Sequence, residues 1–162
     1  LKTMKIFLNR LLSYLVSLLF LTMTFLVLWQ VFTRYVLGNP SMFTEELVLI
    51  ILVWTAYLGA AYAFGKREHM SLVFLKERMT GTRRKIVMVV IDASIIAFSL
   101  LILIYGGYMI SESVFAVKTP ILGFSRGMIY IATTVSGVII TLLQVINIVE
   151  DIQEEEEAEV KG

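Results

Sequence analysis

The sequence predicts an all-α integral membrane protein with four transmembrane helices. Both termini are expected in the cytoplasm, with a short cytoplasmic interfacial helix between spans two and three. Three observations predict this class. First, the 162-residue chain is 58% hydrophobic with strongly positive mean hydropathy, more apolar than a soluble domain of this length needs to be. Second, the stretches 11–33, 47–64, 86–110 and 127–149 carry little or no charge, and each fits the roughly 20 residues that cross about 30 Å of hydrocarbon. Third, Lys and Arg are sorted by position. Lys2, Lys5 and Arg10 precede the first stretch, and Lys66, Arg67, Lys76, Arg78, Arg83, Arg84 and Lys85 lie between or beside the second and third. The other two loops hold only Arg34, Lys118 and Arg126. The positive-inside rule then places both termini and the second loop in the cytoplasm. Residues 1–150 are expected to form one four-helix membrane domain, and residues 151–162 an acidic cytoplasmic tail.

Each span is expected to be helical, because lipid cannot satisfy loose backbone groups. The basic residues before span one resemble a signal-peptide n-region. The apolar run that follows is longer than an ordinary h-region and shows no A-x-A-like cleavage site, so it reads as an uncleaved first span. Trp29, Phe32 and Tyr35 at its end suit the outer interface, and Gly38, Asn39 and Pro40 stop the helix. Thr44 is the expected N-cap of span two, with Glu45 and Glu46 in the first turn, where the helix dipole favours negative charge. Within that span Ala56, Gly59, Ala60 and Ala63 recur at i, i+3, i+4 and i+7, a smooth face that another helix can approach closely. Trp54, Leu58 and Tyr62 make a bulkier side.

The segment Met70–Met79 is apolar enough for a short helix at the cytoplasmic interface, although its apolar residues form no clean stripe. Thr80, Gly81 and Thr82 turn into span three. Arg83, Arg84 and Lys85 stand at headgroup level, where each gains on the order of 1 kcal/mol from anionic phospholipid. Asp92 is the ionisable residue inside span three, about two turns from its cytoplasmic end. Lys85 lies seven residues earlier on much the same face, so a structural pair or a water-exposed anchor is the expected role. The external segment 111–126 is broken by Pro120 and Gly123, and Ser125 is placed to cap span four.

Several functions are excluded or disfavoured by composition. The chain has no cysteine, which removes disulfides, zinc–thiolate sites and thiol nucleophiles. Its only histidine, His69, lies outside the apolar runs, so paired axial haem ligands within the membrane are excluded. His69 beside Glu68 is weak ground for a metal site. No phosphate loop, nucleophile–base pair or dinucleotide fingerprint is present, and a net charge of +1 gives no basis for a nucleic-acid partner. Neither an enzyme activity nor a cofactor is expected. The charges that do face outward together are Arg34, Glu45 and Glu46, joined by Lys118, Arg126 and Glu112. They read either as a docking patch for an external protein or as dipole compensation with a local ion pair.

The stretch from Val31 to Met70 contains F-x-R-Y-V (Phe32, Arg34, Tyr35, Val36) and then P-x-x-x-[ST]-E-E-L (Pro40, Thr44, Glu45, Glu46, Leu47). A span with Trp54, Gly59, Ala60, Ala61 and Ala63 follows, then Glu68 and His69. This set resembles the small (DctQ-like) membrane subunit of tripartite ATP-independent periplasmic (TRAP) transporters, over roughly residues 10–150. The chain departs from the pattern at Phe43, where Trp is common, at Val73, where Asp is common, and at Val48 and Leu49, where an Arg is common. The resemblance implies a bacterial or archaeal inner membrane and two protein partners. One is a large membrane subunit that moves an organic acid, such as sialic acid or a C4-dicarboxylate, by a sodium-driven elevator motion. The other is a periplasmic substrate-binding protein. The small subunit would then be a non-catalytic scaffold that binds no substrate itself, with sodium held by the large subunit. Arg34, Glu45, Glu46, Lys118 and Arg126 would help dock the binding protein, and Ala56, Gly59, Ala60 and Ala63 would pack against the large subunit. A self-contained homo-oligomeric exporter is the alternative, and a quinone- or haem-anchoring subunit a third class.

Overall fold

A computed structural model describes residues 2–66 and 82–160, the side chains of residues 2, 82–86 and 154–160 excepted. Helix α1 (Lys2–Tyr35) is followed by α2 (Met42–Lys66). Then α3 (Thr82–Phe98) runs directly into a π-helical stretch (Ser99–Gly106) and α4 (Gly107–Ser113), the three together forming the third span. The long α5 (Arg126–Val160) completes the chain. Four segments are long and apolar enough to cross a membrane: Thr3–Tyr35, Met42–Lys66, Val87–Ser113 and Arg126–Gln153. No strand forms among the described residues; Lys118 and Ser125 make one isolated antiparallel bridge. The expected interfacial helix at Met70–Met79, the Glu68–His69 pair and the side chains of Arg83, Arg84 and Lys85 lie outside the described residues.

The helices overrun the apolar stretches at both ends. Once a span is helical, each added residue gains a backbone bond at little further nucleation cost, so polar ends such as Lys2–Arg10 and Glu150–Val160 continue the helix. Between α1 and α2, Gly38 takes a φ of +62°, which lets the Asn39 N–H return to the Thr33 carbonyl at 3.1 Å. Helix α2 starts at Met42, three residues earlier than an N-cap at Thr44 requires. Ser41 occupies the cap position, and its carbonyl receives both the Glu45 N–H and the Thr44 hydroxyl, the latter at 2.8 Å.

Helix α5 is the middle of the assembly. It lies between α2 on one side and the third span on the other, whereas α1 packs mainly on α2. Accordingly 44% of the apolar window of α5 is buried inside the protein, against 6% for α1. The core comprises Leu12 of α1, Leu58 and Ala61 of α2, and Ile140 and Leu143 of α5, with Trp54, Tyr62 and Phe64 packed around it. Lys5 of α1 forms an ion pair with Glu150 of α5, so the start of α1 and the late part of α5 share one end of the bundle.

The π-helical stretch departs from the continuous α-helix expected for span three. Residues that meet α5 recur there at every fourth position: Ser99, Leu103, Gly107 and Ser111. A four-residue repeat drifts around an α-helix of 3.6 residues per turn, and an interval of i→i+5 bonding removes the drift. Neither proline nor charge marks the change in the sequence.

Candidate docking corner and polar seams

At the end of the bundle opposite Lys5, the connection between α4 and α5 folds into a tight hairpin. The Arg126 N–H bonds the Val117 carbonyl and the Thr119 N–H bonds the Phe124 carbonyl, both at 2.8 Å. Gly123 turns the tip with a φ of +69°, and the Phe124 N–H reaches the Thr119 hydroxyl oxygen at 3.0 Å. Two backbone amides at the tip then point at α2. Ile121 N–H donates to Glu46 Oε2 at 3.0 Å and Leu122 N–H to Glu46 Oε1 at 3.2 Å, so one carboxylate holds the turn with both oxygens. Such paired amides form a concave anion site.

Glu46 stands just ahead of the apolar run that begins at Leu47. Partial desolvation pushes its carboxyl upward, but the Thr119 hydroxyl, the two amides and the Arg126 charge outweigh this and hold it below the usual carboxylate value. The clamp is therefore complete above the ordinary carboxylate pKa and is lost as pH falls through the lowered one. Replacing Glu46 with Gln is expected to speed hydrogen exchange at the Ile121 and Leu122 amides without changing helix content. Glu45→Gln should leave both amides protected; equal protection in both variants would show that the carboxylate does not hold the turn.

The other charges of this corner are less constrained. Arg34 Nη2 lies 3.8 Å from Glu45 Oε2, with both side chains about half exposed, a geometry that contributes little to stability. Arg126 is exposed at the start of α5, and Lys118 is exposed on the first limb of the hairpin. The structure thus joins Glu46 and Arg126 around the hairpin and Arg34 to Glu45, leaving Arg34, Glu45, Lys118 and Arg126 as its exposed charges. Between α2 and the hairpin a cleft of about 550 Å³ opens, lined largely by Met42, Leu49, Ile50, Val53 and Ile129. Ser125 does occupy the position before α5, and its hydroxyl donates to the Phe115 carbonyl.

Deeper in the bundle, uncharged polar side chains tie helices together. Ser99 donates to the Gly137 carbonyl and Ser111 to the Gly127 carbonyl, each at 2.7 Å, and Thr141 donates to the Ser99 hydroxyl at 3.0 Å. Asp92 is 9% exposed and accepts a 2.5 Å hydrogen bond from Gln144 Nε2 of α5. This bond ties Asp92 to another helix, and the expected pairing with Lys85 lies outside the described side chains. At the same end, Asn9 Nδ2 donates to the Gly65 carbonyl at 3.3 Å and Asn147 Nδ2 to the Phe64 carbonyl at 3.4 Å. These are among the last carbonyls of α2, which have no partner within their own helix. Asn9, Gln144 and Asn147 carry no charge and do not stand out in the sequence. Their signal was the three-residue spacing of Gln144 and Asn147, one face of a helix.

The small-residue face of α2 divides in two. Its buried residues are Thr44, Leu58, Ala61 and Gly65, so the side carrying Trp54, Leu58 and Tyr62 faces the core. Ala56 and Ala60, one turn apart, are exposed. Gly59 and Ala63 are half-buried, and a Cβ on Gly59 would lie 3.9 Å from Val16 of α1.

Residues 23–154 match the family model for tripartite ATP-independent periplasmic transporters, DctQ component. A TRAP transporter small permease protein of Haemophilus influenzae is 25% identical over 146 residues, 90% of either chain. The sialic acid TRAP transporter small permease protein SiaQ of Vibrio cholerae is 23% identical over 116 residues, 72% of this chain and 66% of that one. A stretch of 79 residues, 49% of this chain, is 30% identical to 13% of the sialic acid TRAP transporter permease protein SiaT of Haemophilus influenzae. Together with the four apolar helices, a match over this length means that the chain belongs to the DctQ component family of TRAP transporters, multi-pass membrane permease subunits rather than enzymes.

Proposed function

We propose that this chain is the non-catalytic scaffold subunit of a sodium-driven TRAP transporter, partnering a large membrane subunit and a periplasmic substrate-binding protein. The observation that carries the reading is the bundle's own imbalance. Among the described residues α5 is the most enclosed helix, while α1 and the Ala56–Ala60 side of α2 keep apolar surface open to lipid or another helix. Ser99, Ser111, Gln144, Asn9 and Asn147 make bonds between helices, as a rigid support requires. The segment of a longer permease protein that resembles this chain supports a physical association of small and large permease parts. In this reading Lys5 and the loop after Lys66 face the cytoplasm of a bacterial or archaeal inner membrane, and the Glu46 hairpin faces the binding protein. The relatives' names favour sialic acid among organic acids, with C4-dicarboxylates as the other class. Sodium sites belong to the large subunit.

A self-contained exporter would need a titratable group free to exchange partners near the midplane. Asp92 lies towards one end of the bundle and is engaged by Gln144. Reconstituted uptake with each component left out in turn tests the proposal. Uptake should require all three components and an inward sodium gradient. Transport by this chain alone, abolished by Asp92→Asn, would replace the scaffold reading with the exporter.

A further inference from the structure

The hairpin between α4 and α5 carries an uncharged, apolar tip. Residues 119–125 hold no ionisable side chain, and Ile121 and Phe124 are 46% and 51% exposed. The backbone donors of this tip are already engaged. The Thr119 N–H bonds the Phe124 carbonyl and the Gly123 N–H the Thr119 carbonyl, while the Phe124 N–H takes the Thr119 hydroxyl oxygen. Ile121 and Leu122 give their N–H groups to Glu46, and Pro120 has none to give. From Thr119 to Phe124 every amide therefore has a partner inside the protein. An unpartnered amide is costly where water is scarce, and this segment brings none. The tip also folds back along α2 rather than away from it. Glu46 directly precedes the apolar run that begins at Leu47, and Pro120 and Ile121 line the same cleft as Leu49, Ile50 and Val53 of that span. The tip thus stands beside the point where span two enters the hydrocarbon. Lys118 on the first limb and Arg126 at the start of α5 are exposed on either side of it.

We propose that this tip inserts into the interfacial layer of the adjoining lipid leaflet, with Ile121 and Phe124 among the acyl chains and Lys118 and Arg126 at the phosphates. The pattern selects lipid over protein. Apolar side chains with no free amide beside them have little to offer a soluble partner, whereas cations flanking an apolar segment match phosphates above acyl chains. Glu46 admits the backbone to this layer, because its one carboxylate receives two amides that would otherwise need water. It brings a charge of its own to the membrane edge, and the Arg126 charge acts on it there. The inference goes beyond the scaffold reading and depends on neither orientation nor partner, since the start of span two alone fixes the depth. It assigns the tip to lipid and leaves Arg34 and Glu45 as the part of this corner open to a soluble protein.

The chain has no cysteine, so a single introduced one can carry a nitroxide probe. The full chain with Ile121→Cys or Phe124→Cys is spin-labelled and reconstituted in phosphatidylcholine vesicles, with and without the large subunit. Electron paramagnetic resonance then reads collisions with oxygen, which concentrates in lipid, and with a water-soluble nickel chelate. Both tip labels should collide with oxygen several-fold more often than with the chelate. A label at Lys118→Cys should meet the chelate more often than the tip labels do. Adding the large subunit should leave that order unchanged. In Glu46→Ala the tip labels should shift towards the chelate, because the two freed amides need water. A label at Leu101→Cys, exposed along span three and read without the large subunit, should keep its oxygen preference in that variant and so separates withdrawal of the tip from unfolding. Preference for the chelate at both tip labels with Glu46 intact would put the tip in water. Shielding from both reagents when the large subunit is present would put it against protein. Either result overturns the proposal, and so does an unchanged tip in Glu46→Ala. The readout is depth rather than uptake, so failure here leaves the scaffold reading to its own test.

Discussion

Gly127→Ala is expected to part α4 and α5 at the hairpin that joins them and to lower the thermal stability of the purified protein. A Cβ at residue 127 would lie 2.5 Å from the Ser111 carbonyl oxygen and 2.8 Å from the Phe115 Cα. Both are backbone atoms of the neighbouring segment, so no side-chain rotation relieves the contact. The same movement would break the bond from Ser111 to the Gly127 carbonyl. Forcing a methyl group into a packed interface costs about 1–3 kcal/mol, and the lost hydrogen bond adds to it. The melting temperature in detergent should fall by several degrees. Gly59→Ala is the matched control, because its Cβ would meet only Val16 at 3.9 Å. Equal melting temperatures for the two variants would show that the α4–α5 contact is looser than described.

The second large effect concerns assembly. Ala56→Leu with Ala60→Leu should abolish co-purification with the large membrane subunit while leaving the isolated chain as stable as before. Both residues are exposed and one helical turn apart, so two leucines there add bulk outside the chain's own core. In lipid, apolar area gives little driving force for helix association, and close approach over small residues supplies it instead. Gly59 and Ala63 make poorer tests, since they are half-buried and a leucine at either also strains the bundle itself. Normal co-purification of the double variant would move the interface to another face, with α1 the next to examine.

At the hairpin corner, neighbouring residues of like chemistry take different roles. Glu45 and Glu46 are adjacent and both acidic, and dipole compensation or docking describes either equally well. Only the fold separates them, because the hairpin tip 75 residues away presents two amides to Glu46 while Glu45 meets Arg34 at 3.8 Å. Thr44 looked like a cap because Thr precedes two acids. Ser41 takes that position instead, since the chain after Pro40 is already turning. Asp92 is also reached by an amide on α5, a contact that the sequence around it does not show. An uncharged residue inside an apolar run gives no sign of its partner when helix order in space is unknown.

What the sequence by itself determined was the number of spans, their helical state and the family. Hydrocarbon thickness and the need to bond every backbone group leave few alternatives for four apolar runs of that length. The motifs from Phe32 to His69 are local and need no fold to be read. The tertiary structure alone decided that α5 lies between α2 and the third span, that Glu46 locks a hairpin and that Ala56 and Ala60 face outward. It also decided that span three widens into a π-helix. These depend on which helix faces meet across long sequence separations, and residues alike in local chemistry differ there only in what stands opposite them.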